Sequence, residues 1–110
     1  MRVASIYYKE HLAGSLTETD EGEYIFQYDE NYVKQHPKEF ITFTMPVTEK
    51  SYKEKRLFPF FEGLIPEGWL LHIASKNWKI NPNDRMGLLM ACCKNCIGAV
   101  SVISKEETNE

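Results

Sequence analysis

Long apolar runs are missing from this sequence. No stretch approaches the ~18 residues of a membrane span, and the opening Val3-Ala4-Ser5-Ile6-Tyr7-Tyr8 is too short for a signal-peptide core and meets charge at Lys9. A basic excess is missing too. With 13 Lys+Arg against 16 Asp+Glu the net charge is −3, which does not build the broad positive surface that non-specific nucleic-acid binding needs. Cysteine is scarce: Cys92, Cys93 and Cys96 are an odd, clustered set that cannot supply a disulfide framework, and the expectation is free thiols in a cytoplasmic protein. The glycines at 14, 22, 63, 68, 87 and 98 match neither G-x-G-x-x-G nor G-x-x-x-x-G-K, so no phosphate cradle is written here. Size excludes more. The 110 residues make one core, whereas a kinase, a Rossmann dehydrogenase or a barrel enzyme needs about 200 or more.

What is present is an ordinary globular mixture, 43% hydrophobic and 26% charged. Small, β-branched and aromatic residues over 3–8 and alternation over 12–18 predict two strands of a hairpin closed at Lys9-Glu10-His11. A turn at Asp20-Glu21-Gly22-Glu23 leads to a third strand over 24–28. Asp29 is placed to cap a helix from Glu30 to His36 that Pro37 stops. Alternation in Phe40-Ile41-Thr42-Phe43-Thr44-Met45 predicts a further strand, and the polar stretch Thr48 to Arg56 reads as a solvated loop. Pro59 and Gly63 bracket a short helix. Pro66 opens a second, running to Trp78, and Asp84 caps a third from Arg85 to Cys92. A last strand over 97–103 precedes a flexible acidic tail, 105–110, so that 2–104 form a single domain. The fold class expected is α+β: a mostly antiparallel sheet with helices packed on one face.

Two features could carry chemistry. Cys93 and Cys96 form a C-x-x-C, the spacing of redox dithiols and of half a zinc site. A structural zinc needs two more ligands, and His11, His36 and His72 follow no ligand spacing. The cysteines also end a helix rather than begin one, so small residues packing a helix end is the preferred reading. Trp69 falls at the edge of the apolar sector of the Pro66 helix, beside His72 and Lys76. It is placed either to pack back on Leu64 as a hydrophobic staple or to project as an anchor for a partner.

The order of elements, the run Leu57-Phe58-Pro59-Phe60-Phe61-Glu62-Gly63-Leu64-Ile65-Pro66-Glu67-Gly68, then Asp84-Arg85-Met86-Gly87-Leu88-Leu89 and Cys96-Ile97-Gly98-Ala99-Val100, resembles the first N-terminal subdomain of HipA-type serine/threonine kinases. That subdomain carries an F-F-x-x-L-x-P motif, matched by Phe60 to Pro66, and a G-x-D-x-x-G-A turn. In the turn Cys93 and Asn95 replace the first glycine and the acid, while Gly98-Ala99 are kept. The resemblance spans residues 2 to about 104 and implies a free-standing copy of the subdomain, like the HipS-type antitoxins of three-component HipBST systems. It implies no enzyme and no cofactor. The role it implies is to bind and inhibit a HipT-like serine/threonine kinase, alongside a HipB-like DNA-binding protein, with no direct nucleic-acid or membrane contact. Trp69 would be the partner anchor, with Glu67, Gly68, His72 and Lys76 around it. A small thiol or metal-binding protein using Cys93 and Cys96, and an accessory domain with another partner, are the alternatives.

Overall fold

The computed structural model describes residues 2–65, 83–92 and 100–104. Five strands form one sheet in the order β4-β3-β2-β1-β5, every pairing antiparallel: β1 Arg2–Tyr8, β2 His11–Glu18, β3 Tyr24–Tyr28, β4 Tyr52–Glu54 and β5 Val100–Ser104. Among the described residues the helices are α1 Glu30–Gln35, α2 Pro59–Glu62 and α3 Arg85–Cys92. The expected α+β class and antiparallel sheet are therefore present.

The β1–β2 hairpin turns on two residues, Lys9 and Glu10, both at positive φ (50° and 72°). Two-residue hairpin turns need this left-handed backbone because it matches the strand twist, although side chains other than Gly and Asn resist it. A bulge follows at once. Tyr7 pairs with Leu12 but Ile6 with Gly14, which leaves Ala13 as the extra residue. Ala13 is fully buried, whereas Leu12 is turned outward. The alternation that grouped Leu12 with Gly14 and Leu16 is thus broken.

Beyond the bulge, Ala4, Ile6, Leu16, Tyr24, Phe26, Tyr28, Val100 and Val102 share one face, and α2 and α3 bring Phe61, Met86, Leu88 and Leu89 into the same core. Phe61 is its keystone among the aromatics, with ring centroids 5.8 Å from Phe26, 6.1 Å from Phe58 and 5.2 Å from Phe60. Truncating such a fully buried ring costs about 3–5 kcal/mol. Gly14 sits where strand β3 crosses closest: a Cβ there would lie 2.3 Å from the Gln27 carbonyl oxygen. The local signals at α1 and α2 hold. Asp29 accepts from the Asn31 amide at 3.1 Å, Pro59 is the first residue of α2, and Gly63 is its C-cap, in right-handed rather than left-handed backbone.

Two expectations are corrected. Residues 40–45 are not a strand: a turn closed by Met45 N–H to the Thr42 carbonyl (3.0 Å) puts Ile41 and Met45 into the core, four residues apart, and turns Phe43 out. The alternating pattern fails because Tyr28 takes up the backbone groups that a strand would have paired. Conversely, the polar 48–56 stretch contributes β4, whose Tyr52 pairs with Phe26 and whose Lys53 and Glu54 are exposed. An edge strand with one neighbour can be short and charged, which protects the edge. The predicted helix from Pro66, the start of the last strand before Val100, the cysteine turn and the tail lie outside the described residues.

Candidate functional site

Trp69, Glu67, Gly68, His72 and Lys76, the expected partner-binding residues, also lie outside the described residues, as do Cys93 and Cys96. The structure instead shows how the segment carrying Trp69 is bounded. Its upstream flank is the Phe60-Phe61-Glu62-Gly63-Leu64-Ile65 run, in which Phe61 and Ile65 are buried. Its downstream flank is Asn83, Asp84 and the start of α3. A two-point fork ties these flanks together: Arg85 donates from Nε to Glu62 Oε1 at 3.0 Å and from Nη2 to Glu62 Oε2 at 2.8 Å. The chain between residues 62 and 85 therefore leaves and returns at one ion pair. Arg85 begins α3, where its charge faces the positive end of the helix dipole, and the Glu62 carboxylate offsets that.

A second network fixes α3 to the sheet. Arg2 donates to Asp84 in a two-point fork (Nη1 to Oδ2 3.0 Å, Nη2 to Oδ1 2.7 Å) and from Nε to Glu18 Oε1 at 2.7 Å. Tyr24 donates its hydroxyl to Glu18 Oε2 at 3.1 Å. Asp84 also caps α3, as the sequence predicted, accepting from the Gly87 amide at 3.1 Å. The Arg2 hydrogen bonds hold the Asp84 carboxyl below its ordinary range, and the Asp84 hydrogen bonds raise Arg2 in return. Gly87 leaves room for this network: a Cβ there would fall 2.4 Å from Asp84 Oδ2 and 3.3 Å from Arg2 Nη1, so Asp84 would have to shift.

Nothing in the sequence paired Glu62 with Arg85. For Arg2, a hairpin closed over Lys9-Glu10-His11 already sets Glu18 opposite; the structure reaches the same register with a two-residue turn and the extra Ala13. These pairs are half-exposed, so each adds modestly to stability. Their effect is geometric, holding both ends of the 63–84 segment on a rigid sheet and helix frame.

Among the described residues no group of three or more His, Cys, Asp or Glu side chains is arranged to hold a metal ion, and no helix is long and apolar enough to cross a membrane. The grooves beside β3 mix charged and apolar linings: Glu23, Lys53, Arg56, Leu57 and Pro59 in one, Gln27, Tyr28, Glu30 and Val33 in another.

Comparison with known proteins gives these features a family. A solved structure described as the N-terminal domain of HipA toxin superposes with a TM-score of 0.73, covering 97% of this chain and 95% of that one at 24% identity, which establishes a shared fold. An uncharacterized protein of Haemophilus influenzae strain Rd is 28% identical over 67 residues, 61% of this chain and 63% of that protein. This chain thus matches less than two thirds of that relative's length. The HipA N-terminal domain family matches residues 4–103, nearly the whole sequence, which ties the chain to HipA-related toxin–antitoxin components. The protein belongs to the HipA N-terminal domain family.

Proposed function

We propose that this protein is a non-enzymatic antitoxin that binds a HipT-like serine/threonine kinase and holds it inactive in the cytoplasm, in a complex that also takes a HipB-like DNA-binding protein. The observation that carries this reading is the family match over residues 4–103. The domain has a core of its own, and contact is the means by which this reading has it act on a kinase.

Trp69 is the proposed anchor, with Glu67, Gly68, His72 and Lys76 as its rim. The Glu62–Arg85 fork supports this assignment, because a segment closed at its base loses less conformational freedom when it docks. An indole supplies a large apolar area at low rotamer cost, and such anchors are worth about 2 kcal/mol or more in an interface. Entry into the kinase cleft, or bracing of the lobe that closes on nucleotide, blocks activity without any catalytic group on this chain.

The test uses a purified HipT-like serine/threonine kinase. Purified protein at a one-to-one ratio is expected to bind it and abolish its autophosphorylation, and Trp69→Ala is expected to lose inhibition while keeping its circular dichroism spectrum. No binding by the unaltered protein rejects the reading. Retained inhibition by Trp69→Ala rejects the anchor alone, and a melted fold assigns Trp69 to the staple role. Replacing Cys93 and Cys96 by Ser should leave inhibition within a few-fold; loss of stoichiometric zinc in that variant would favour the thiol or metal alternative.

A further inference from the structure

Charge is unevenly divided along this chain. Residues 50–56 hold Lys50, Lys53, Lys55 and Arg56 against Glu54 alone, a local charge of +3, while the rest of the sequence, nine basic against fifteen acidic, stands at −6. These four cations are also unpaired. Arg2, Lys34 and Arg85 each sit in an ion pair, whereas Lys50, Lys53, Lys55 and Arg56 form none among the described residues.

The basic stretch coincides with an open strand edge. Among the described residues β4 pairs with β3 alone, so alternate backbone amides and carbonyls of 52–54 are left free on its other side. Beside it runs a groove of about 640 Å³, lined by Lys53, Lys55 and Arg56 together with Leu57 and Pro59. A free edge takes up extended backbone through main-chain hydrogen bonds, and the alternate side chains of the incoming strand set specificity. Here the unpaired cations select carboxylates, and the Leu57–Pro59 lining selects an apolar side chain between them. The charges that keep β4 from pairing with a like edge thus make it selective for an acidic one.

Other occupants fit this edge less well. A second copy pairing β4 with β4 about Lys53 would set two lysines opposite each other. A nucleic acid has no peptide backbone for the edge and would bring its phosphates against Glu23 and Glu54, which share the groove. The chain's own Glu106, Glu107 and Glu110 follow β5 at the opposite edge, four strand spacings or ~19 Å away, so residues 105–110, with a reach of ~20 Å, have nothing left to lie along β4. We propose that the free edge of β4 and its groove bind an extended acidic segment of a partner protein, with carboxylates beside Lys53, Lys55 and Arg56 and an apolar side chain toward Leu57 and Pro59. This site is independent of the kinase reading and of the Trp69 segment.

The test selects a random-peptide library displayed on phage against the immobilised protein, then titrates the selected peptide by calorimetry and amide exchange. Acidic residues alternating with apolar ones should be enriched, and the bound peptide should slow exchange at amides within 52–55. The double variant Lys53→Glu, Lys55→Glu should bind it about tenfold more weakly or worse. Both side chains are exposed, so that variant should keep the wild-type circular dichroism spectrum. The same peptide with its acids replaced by lysine should prefer the double variant to the unaltered protein. A library that yields no binder, peptides without acidic excess, unchanged exchange at 52–55, or double-variant binding within about twofold each overturns the proposal. Displacement of the peptide by duplex DNA at equal concentration would reassign the groove to a phosphate polymer and overturn it. So would amides at 52–55 that are protected in the free protein and exposed in a chain cut after Ser104, which would place the protein's own acidic residues there.

Discussion

Replacing Tyr28 by Phe removes one oxygen and leaves the ring, so it isolates the hydroxyl's pin on residues 41–45 from the packing. The ring contacts with Phe26 (4.9 Å, edge-on) and Tyr32 (5.9 Å, stacked) survive. What is lost is the acceptor for the Ile41 amide and the donor to the Met45 carbonyl, in residues only 6% and 4% exposed. An orphaned buried donor costs about 1–3 kcal/mol, and a carbonyl with a second lone pair costs less. We expect destabilisation of about 2 kcal/mol, a fall of roughly 8 °C in Tm for a domain near this size. Tyr52→Phe is the internal control. Its hydroxyl reaches the Pro46 carbonyl at the surface, where water replaces it, so the loss should stay within about 0.5 kcal/mol. Urea unfolding supplies the free energies, and amide exchange at Ile41 locates the change. A Tyr28→Phe variant as stable as wild type, with Ile41 equally protected, would refute the pin.

Gly87→Ala should force Asp84 away from either Arg2 or its cap, because the new Cβ falls 2.4 Å from Oδ2; the expected cost, read by thermal unfolding, is about 1–2 kcal/mol. Asp84 also titrates below its ordinary range in the folded state, so its contribution is present above the unfolded carboxyl value, near pH ~3.9, and is lost as pH falls through the lower folded value. Asp84→Asn should flatten that acid limb. Lys9→Asn with Glu10→Gly suits a turn with positive φ at both residues and should stabilise the fold by about 1–2 kcal/mol; no gain in the urea midpoint would count against the turn assignment. Burial pushes Tyr24, Tyr28 and Tyr32 up to about 12. The unfolded chain releases those protons first, near pH ~10, so stability should fall between about pH 10 and 12. Absorbance at 295 nm should show Tyr24, Tyr28 and Tyr32 ionising only as the protein unfolds.

Short-range chemistry made part of this protein legible from sequence. The hairpin, the third strand, the Asp29 cap, the Pro59 start of α2 and the Asp84 cap of α3 each depend on residues within a few positions of one another, and each is found where it was expected. The run Phe60-Phe61-Glu62-Gly63-Leu64-Ile65-Pro66 and the Gly98-Ala99 pair also pointed to the family that the match over 4–103 establishes. Tertiary structure decided the rest. Residues 40–45 alternate like a strand, yet the hydroxyl of Tyr28, a residue 13 positions before Ile41, takes their backbone and bends them into a turn. Tyr52, Lys53 and Glu54 look like loop, yet the free edge of β3 gives them a partner. The hairpin sets Glu18 opposite Arg2, yet only the closed fold brings Asp84 to Arg2, and so builds the charged bridge that holds α3 to the sheet. Caps and turns are satisfied by neighbours in the chain and can be read from them. Edge pairing, register and the destination of a buried hydroxyl depend on which distant backbone groups remain unpaired once the sheet has closed.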